Sequence, residues 1–193
     1  MSSAERSRGA GSIKIEKECR LKMNTAMRMF SVLLFSAFVM CVSTSSANIV
    51  FAGVETGVDL GQKAAPFKLL SVEGKEIALE SFAKDKVTLL VFGTTWCPSC
   101  RHEIPILKEY YNDLKDDGLR VLGIDVQESK SKVKSFVEKN RINYPVALDS
   151  NADVARLYKV VGIPLNVILD KDGVIRYKHN LPPSKEILEK FLN

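Results

Sequence analysis

Residues 96–100 read Trp-Cys-Pro-Ser-Cys, and this stretch is the most informative part of the chain. Their two thiols, Cys97 and Cys100, are separated by two residues. The apolar run Val-Thr-Leu-Leu-Val-Phe at residues 87–92 precedes them and has the pattern of a buried β-strand. A helical pattern of apolar residues follows over residues 98–116. Two thiols between a strand and a helix predict a redox-active cysteine pair.

Disulfide exchange gives the two thiols different tasks. The group that attacks a disulfide must be a thiolate, and a position at a helix start lowers the pKa of a thiol. Cys97 has that position, and Pro98 suits the first helical residue because no N–H is needed there. Cys100 lies one turn further along the same helix face. We therefore predict that Cys97 is the entering nucleophile and that Cys100 resolves the mixed disulfide.

The distribution of charge argues against a nucleic-acid partner. The whole chain has a formal net charge of +5. Residues 1–28 hold seven Lys or Arg and three Asp or Glu, whereas the chain from Gly53 onward holds 21 and 20. The main part of the protein therefore lacks the basic excess that binds phosphate backbones.

The N-terminal segment, residues 1–52, has the pattern of a signal peptide or a membrane anchor. A basic stretch at residues 1–28 precedes an apolar core at residues 29–42. Small residues that could form a cleavage site follow this core. The segment therefore predicts export, with cleavage and retention as a membrane anchor as the two alternatives.

The charges around the apolar core predict which side of the membrane the main domain occupies. Basic residues lie before the core and none lies directly after it, which places residues 53–193 outside the cytoplasm. This means the bacterial periplasm or the outer face of the cytoplasmic membrane. If the segment is not cleaved, residues 29–52 associate the protein with the membrane. Because the basic stretch is long for a signal, we hypothesise that translation starts at Met23 or Met27.

The number of cysteines limits what the exported domain can be. Cys19 and Cys41 lie in the N-terminal segment, so the domain holds only Cys97 and Cys100. A domain with no second cysteine pair is not a disulfide scaffold. We expect no cofactor other than the redox-active disulfide between these two residues.

Alternating strand and helix signals from residue 54 to the end predict an α/β fold. We expect a central mixed β-sheet with helices on both faces and a small N-terminal β-hairpin around Glu73 and Gly74. Ser129, Asp149 or Ser150, and Ser184 are the candidate N-caps of the later helices. The expected strands beyond residues 87–92 are residues 67–70, 77–79, 119–124, 144–148, 165–169 and 174–177.

Several motifs together resemble the TlpA/ResA-type family of exported thiol–disulfide oxidoreductases, which have a thioredoxin fold. The resemblance spans residues 58–193. It implies a thioredoxin-like α/β domain with an N-terminal hairpin extension. The motifs are Ala65-Pro66, the run Phe-Gly-x-x-Trp-Cys-x-x-Cys that ends at Cys100, Glu103-Ile104-Pro105, and Val161-Gly-Ile-Pro164.

The resemblance implies a third catalytic residue, Glu103. Thioredoxins of the cytoplasmic type carry a buried aspartate six residues before the first cysteine, but this chain has Val91 there. The TlpA/ResA-type family instead uses a glutamate three residues after the second cysteine, and Glu103 matches it. Glu103 lies one helical turn from Cys100, so it is expected to influence the proton of that thiol. The alternative is an exposed helix carboxylate.

The resemblance also implies a surface that binds substrate. Ile163-Pro164 corresponds to the family's cis peptide facing the cysteines, where the backbone pairs with an extended substrate segment. An ordinary turn proline is the alternative interpretation. Trp96 either shapes the same surface or belongs to the core. Pro98 and Pro105 are expected to have structural roles at the site, the latter by removing one helix hydrogen bond.

By resemblance, we expect a protein-disulfide reductase. Its substrates would be exported proteins with disulfides, of which apocytochrome c is the best-known kind in this family. Electrons would come from a membrane thiol carrier, and the protein would be a monomer. The motif lacks the histidine of strongly oxidising Cys-x-x-Cys motifs, which also favours a reductant.

Two other functions on the same fold are alternatives. A peroxiredoxin is suggested by the spacing of Thr94 and Cys97, but Leu90 stands where its proline is expected. A copper carrier of this fold uses a wider cysteine spacing. We predict no metal site, because a zinc ion needs about four ligands and the domain offers only the cysteine pair, His102 and His179.

Overall fold

The computed structural model describes residues 54–193, so the predicted signal or anchor in residues 1–52 lies outside the described residues. No helix in the described part is long and apolar enough to cross a membrane. The helices of this part are α1 (Leu79–Phe82), α2 (Pro98–Leu114), α3 (Lys130–Lys139), α4 (Asp153–Leu157) and α5 (Lys185–Leu192). Its strands are β1 (Thr56–Gly57), β2 (Lys63–Ala64), β3 (Lys68–Ser71), β4 (Glu76–Ala78), β5 (Val87–Gly93), β6 (Leu119–Val126), β7 (Val146–Asp149), β8 (Leu165–Leu169) and β9 (Ile175–His179).

Seven of these strands form one mixed sheet in the order β4-β3-β7-β6-β5-β8-β9. The strands β5, β6 and β7 are parallel, whereas β8 runs antiparallel to β5 and β9 antiparallel to β8. Strands β1 and β2 form a separate two-stranded parallel sheet. The predicted central mixed sheet, with the topology of a thioredoxin-like α/β fold, is confirmed.

The predicted N-terminal hairpin is strands β3 and β4, which pair antiparallel. Strand β3 also pairs with β7, so the hairpin extends the main sheet at one edge. The turn between them contains Gly74, which has a φ of 89°. This is the left-handed region, where glycine has no steric cost. Glycine at this position therefore lets the hairpin turn form.

The central strand β5 is buried along its length because helices cover both faces of the sheet. Its alternate side chains reach two separate cores. Val87, Leu89 and Val91 pack in one core with residues of α2, α3 and α5. Leu90 and Phe92 pack in the other with residues of α1 and α4. Strand β5 is therefore packed on both faces. Because it leads directly into the cysteine motif, this packing fixes the position of the motif.

The structure differs from the sequence-based expectation mainly in short elements and in helix caps. Helix α1 and strands β1 and β2 were not predicted, because elements of two to four residues are too short for a periodic pattern. Ser129 and Ser184 occupy N-cap positions as predicted, but neither side chain makes a capping hydrogen bond.

The cap of helix α4 is also different from the expected one. Its N-cap residue is Ala152, in a left-handed conformation with φ 57°. The carboxylate of Asp149 nevertheless accepts hydrogen bonds from the backbone N–H groups of Val154, at 3.2 Å, and Ala155, at 2.7 Å. Asp149 therefore satisfies the start of the helix from outside the N-cap position.

Candidate active site

Cys97 and Cys100 are joined by a disulfide at the start of helix α2. Cys97 is the N-cap residue, with an extended backbone, and Pro98 is the first helical residue. The backbone N–H of Cys100 donates a hydrogen bond to Sγ of Cys97, with an N–S distance of 3.2 Å. The helix N-terminus is therefore directed at the sulfur of Cys97. This arrangement favours a thiolate at Cys97 in the reduced protein.

The residues around the disulfide differ in their exposure to solvent. Cys97 is 4% exposed, and Cys100 is half-buried. Trp96 is 64% exposed, so it lies on the surface beside the buried sulfur and does not belong to the core. Trp96 therefore has the surface position that a docking residue needs. Its role in binding substrate stays a prediction.

The loop before strand β8 faces the first cysteine. The peptide bond between Ile163 and Pro164 is cis, as the resemblance implies. The carbonyl oxygen of Ile163 lies 3.9 Å from Sγ of Cys97. The amide of Asn180 holds this loop, because its Nδ2 donates to the carbonyl oxygens of Gly162, at 3.1 Å, and Pro164, at 2.6 Å. Asn180 was not found from the sequence, since it lies sixteen residues beyond the proline.

An open groove of about 650 Å³ lies between this loop and the first turns of α2. His102, Glu103 and Ile106 line it from the helix, and Leu181 lines it from the segment after β9. Val161 and Leu181 are exposed apolar residues in its wall, with exposed fractions of 100% and 63%. A concave surface with exposed apolar side chains is suited to an extended polypeptide.

Glu103 is buried and bonded to a residue of strand β8. Its oxygens Oε1 and Oε2 accept hydrogen bonds from Nδ2 of Asn166, at 3.3 and 3.1 Å. Burial raises the pKa of Glu103, and the hydrogen bonds from Asn166 partly offset that rise. Asn166 is the register partner of Val91 on β5, so the amide and carboxylate lie beside the position where thioredoxins carry an aspartate. The alternative of an exposed carboxylate is wrong, and the effect of Glu103 on Cys100 stays a prediction.

A second, smaller cavity of about 70 Å³ lies beside Cys100. Gly93, Asp125 and Tyr144 are among the residues that line it with Cys100. A Cβ atom at Gly93 would lie only 3.2 Å from Sγ of Cys100. Glycine at this position therefore lets strand β5 pass close to the disulfide.

Two buried carboxyl groups lie at and just after the end of strand β6. Asp125 lines this cavity, and Glu128 bonds to the loop that carries the cysteines. Glu128 accepts hydrogen bonds from the backbone N–H of Thr95, at 2.5 Å, and from its Oγ1, at 2.9 Å, and it pairs with Lys132. Burial raises the pKa of Glu128, but hydrogen bonds from Lys132 and Thr95 outweigh this and leave it lowered. Burial, and then the charge and hydrogen bond of Glu128, raise the pKa of Asp125 to about 8.

Sequence reasoning did not find Asn166, Asp125, Glu128 or Thr95. One signal for Asp125 was present, because it ends the apolar run of β6, the parallel neighbour of the strand that carries the cysteine motif. Carboxyl groups at such strand ends gather at one edge of the sheet. Asn166 had no comparable signal, since a single amide inside an apolar strand indicates no partner.

Neither histidine is buried at the disulfide. His102 and His179 are both exposed. In residues 54–193 there is no group of three or more His, Cys, Asp and Glu side chains arranged to hold a metal ion.

Residues 60–178 match the AhpC/TSA family. Among curated proteins, the chain is 30% identical over 164 residues to the thiol-disulfide oxidoreductase ResA of Bacillus cereus, strain ATCC 10987 / NRS 248. That alignment covers 83% of this chain and 94% of the relative.

Solved structures of thiol–disulfide oxidoreductases have the same fold. The thioredoxin domain of a thiol-disulfide oxidoreductase from Bacteroides vulgatus superposes with a TM-score of 0.65 at 27% identity, covering 71% of this chain and all of that domain. A secreted disulfide oxidoreductase of Mycobacterium tuberculosis, described as homologous to Escherichia coli DsbE, gives a TM-score of 0.56 at 25% identity. That match covers 65% of this chain and 93% of the other.

Proposed function

Since this chain belongs to the AhpC/TSA family and is a thiol–disulfide oxidoreductase of the ResA/DsbE type, we propose that it reduces disulfides of exported proteins outside the cytoplasm. One observation carries this proposal. The Cys97–Cys100 disulfide lies at a helix start, with the carbonyl of Ile163 beside its first sulfur and an apolar groove leading away from it.

The reaction follows from this geometry. The Cys97 thiolate of the reduced protein attacks a substrate disulfide, forms a mixed disulfide, and one substrate sulfur leaves as a thiolate. The Cys100 thiolate then attacks Sγ of Cys97, and the second substrate sulfur leaves with its electron pair. The substrate gains two electrons and two protons in total, and the protein ends with the Cys97–Cys100 disulfide.

The groove and the cis-proline loop support a polypeptide substrate. An extended segment can lie along the loop at Gly162 and Ile163 while its side chains contact Trp96 and Leu181. The resemblance to the TlpA/ResA-type family makes oxidised apocytochrome c our first candidate substrate. We propose a membrane thiol carrier as the electron donor and a monomer as the working state.

The location outside the cytoplasm is supported by sequence and by one relative. The basic stretch and apolar core within residues 1–52 have the pattern of an export segment, and residues 53–193 form the proposed thioredoxin-like domain. The Mycobacterium tuberculosis relative is described as secreted. In an oxidising compartment, this cysteine pair needs a dedicated electron donor to stay reduced.

The reduction potential tests the proposed direction of electron flow. We would equilibrate the purified protein with glutathione buffers and quantify the free thiols of Cys97 and Cys100. We expect a potential closer to that of thioredoxin, about −270 mV, than to that of DsbA, about −120 mV. A value at the DsbA end would overturn the proposed reductase.

An activity assay tests the substrate class. The protein should accelerate reduction of insulin by dithiothreitol and should reduce an oxidised peptide that contains Cys-x-x-Cys-His. Cys97→Ser should abolish both activities, and Cys100→Ser should accumulate the mixed disulfide. Peroxide consumption or copper binding without disulfide reduction would contradict the proposal.

A further inference from the structure

Asp125 is a buried acid that the reaction above does not use. It is 7% exposed, and its Oδ1 has no hydrogen-bond partner among the described residues. The same is true of Oγ1 of Thr94. Both residues line the cavity beside Cys100. A buried polar atom without a partner is unfavourable unless it has a role or bonds to water.

The cavity can connect Asp125 to the sulfur of Cys100. Its volume of about 70 Å³ exceeds the 10–15 Å³ or so that one water molecule needs. The hydroxyl of Thr94 and the carboxyl of Asp125 supply polar groups for such a water, while most of the remaining lining is apolar. A water molecule in this cavity can therefore relay a proton between the thiol and the carboxyl.

We propose that Asp125 is the proton acceptor for Cys100 in the second step of disulfide exchange, acting through water in this cavity. The inference rests on the proposed function and deepens it. The buried acid would then lie on strand β6. Thioredoxins of the cytoplasmic type carry their buried aspartate on the strand that corresponds to β5, where this chain has Val91.

The Cys100 thiol gives its proton to the Asp125 carboxylate and becomes a thiolate. That thiolate forms the bond to Sγ of Cys97, and the bond between Cys97 and the substrate sulfur breaks. The electron pair leaves with the substrate sulfur, which takes a proton from solvent. Asp125 ends the step protonated, beside the newly formed disulfide.

The groups that face Asp125 are consistent with this end state. Glu128 lies beside it and stays ionised, because Lys132 bonds to it. Burial favours the neutral form of Asp125, and the negative charge of Glu128 acts in the same direction. The positive charge of Lys132 opposes both but is the smallest of these effects on the pKa of Asp125. Tyr144 and Cys100 line the same cavity, and burial raises the pKa of Tyr144, so the phenol stays neutral. A proton at Asp125 is therefore favoured in the oxidised protein.

Glu103 is less suited to this task. Its oxygens are engaged by Nδ2 of Asn166. It lines the groove of the cis-proline loop, whereas Asp125 lines the cavity of Cys100. The two acids can therefore be tested separately.

A chromogenic disulfide separates the two steps of the reaction. Reduced full-length protein is mixed in a stopped-flow instrument with dithiobis(nitrobenzoate). The attack by Cys97 releases the first coloured thiolate, and the attack by Cys100 on the mixed disulfide releases the second. In the wild type, the rate of the second phase should rise with pH as Asp125 loses its proton.

Asp125→Asn should slow the second phase at pH 7 about a hundredfold, because a positioned proton acceptor typically contributes this much. Its rise should move to higher pH, where the Cys100 thiol ionises without an acceptor. The first phase should change little. The exposed Asp117→Asn is the matched control and should behave as the wild type. Glu128→Gln should move the pH rise to lower pH, because it removes the negative charge beside Asp125.

An unchanged second phase in Asp125→Asn, in both rate and pH profile, would overturn the inference. If Asp125→Asn does not fold, the pH profile of the second phase in Glu128→Gln is the test. An unchanged pH profile in folded Glu128→Gln would overturn the inference. Failure of the proposed function is a different result, since the wild type would then reduce neither insulin nor the peptide disulfide.

Discussion

At the scale of single residues, the site depends on how each buried acid is hydrogen-bonded. Glu103 receives its two side-chain hydrogen bonds from one amide, Nδ2 of Asn166, whereas Glu128 receives its bonds from Thr95 and Lys132. Asp125 has Glu128 as a neighbour, and its Oδ1 lacks a partner in the part of the chain that the structure describes. The three acids therefore differ in pKa although all are buried.

The amide of Asn166 should control the pKa of Glu103. In Asn166→Leu the carboxylate loses its donor while burial remains, so its pKa should rise further. A hydrogen bond to a charged group contributes about 1.5–3 kcal/mol, so its loss should raise the pKa of Glu103 measurably. Titration of the side-chain carboxyl by carbon-13 NMR measures this. The exposed Asn151→Leu serves as control, and an unchanged pKa of Glu103 in Asn166→Leu would contradict the expectation.

Asp125 should make the oxidised protein less stable as pH rises. Its folded-state pKa of about 8 lies above its ordinary value of 3.8, so the folded protein holds a proton that the unfolded chain releases between these values. The free energy of unfolding should therefore fall from about pH 4 to about pH 8 and change little above that from this group.

Urea denaturation across this pH range measures the effect. The free energy of unfolding of Asp125→Asn should rise relative to that of the wild type as pH rises. The relative change should be at most about 1.4 kcal/mol for each pH unit. Asp117→Asn, at an exposed position, should follow the wild type. A difference between Asp125→Asn and wild type that does not depend on pH would show that the carboxyl titrates normally.

At the scale of secondary-structure elements, the long elements could be predicted from the sequence and the short ones could not. The apolar run of β5 and the stripe of α2 carry strong periodic signals, and both form as predicted. Helix α1 and strands β1 and β2 carry no periodic signal because they are only two to four residues long. Their conformation depends on contacts with the rest of the fold. The cap of α4 shows the same limit. The Asp149 carboxylate accepts its hydrogen bonds from backbone N–H groups that follow a left-handed Ala152, and no sequence pattern indicates that conformation.

The approach of strand β5 to helix α2 depends on Gly93. A side chain there would place Cβ 3.2 Å from Sγ of Cys100 and 3.4 Å from its Cβ. Gly93→Ala should therefore force the strand and the disulfide apart and lower the stability of the oxidised protein by about 1–3 kcal/mol. Denaturant unfolding of the oxidised protein provides the measurement.

Gly162→Ala is the matched control for this substitution. A Cβ atom at Gly162 would meet its nearest neighbour, Nδ2 of Asn180, at 3.7 Å, which is an ordinary contact. Its stability should stay close to that of the wild type. Equal losses in Gly93→Ala and Gly162→Ala would mean that the contact with Cys100 is relieved at little cost.

At the scale of the whole molecule, the sequence predicts the cysteine pair far better than it predicts the pair's surroundings. Cys97, Cys100 and the cis Ile163-Pro164 bond belong to local motifs that can be recognised in one chain. Asn166 and Asp125 reach the cysteines from strands that are separated from the cysteine motif by many residues. Their contact with it depends on the order of strands in the sheet, which a single sequence does not specify residue by residue.

The proposed division into an export segment and a redox domain makes a prediction about the whole chain. The full-length protein fused to alkaline phosphatase, an enzyme that needs its own disulfides, should be active in bacteria because the fusion leaves the reducing cytoplasm. The double substitution Leu33→Arg and Phe35→Arg places two charges in the apolar core of residues 29–42, where they oppose membrane insertion. Phosphatase activity per amount of fusion protein should then fall to background. Leu60→Arg, at an exposed position of the domain, should leave it unchanged. Full activity in the double variant would show that another segment directs export or that none is needed.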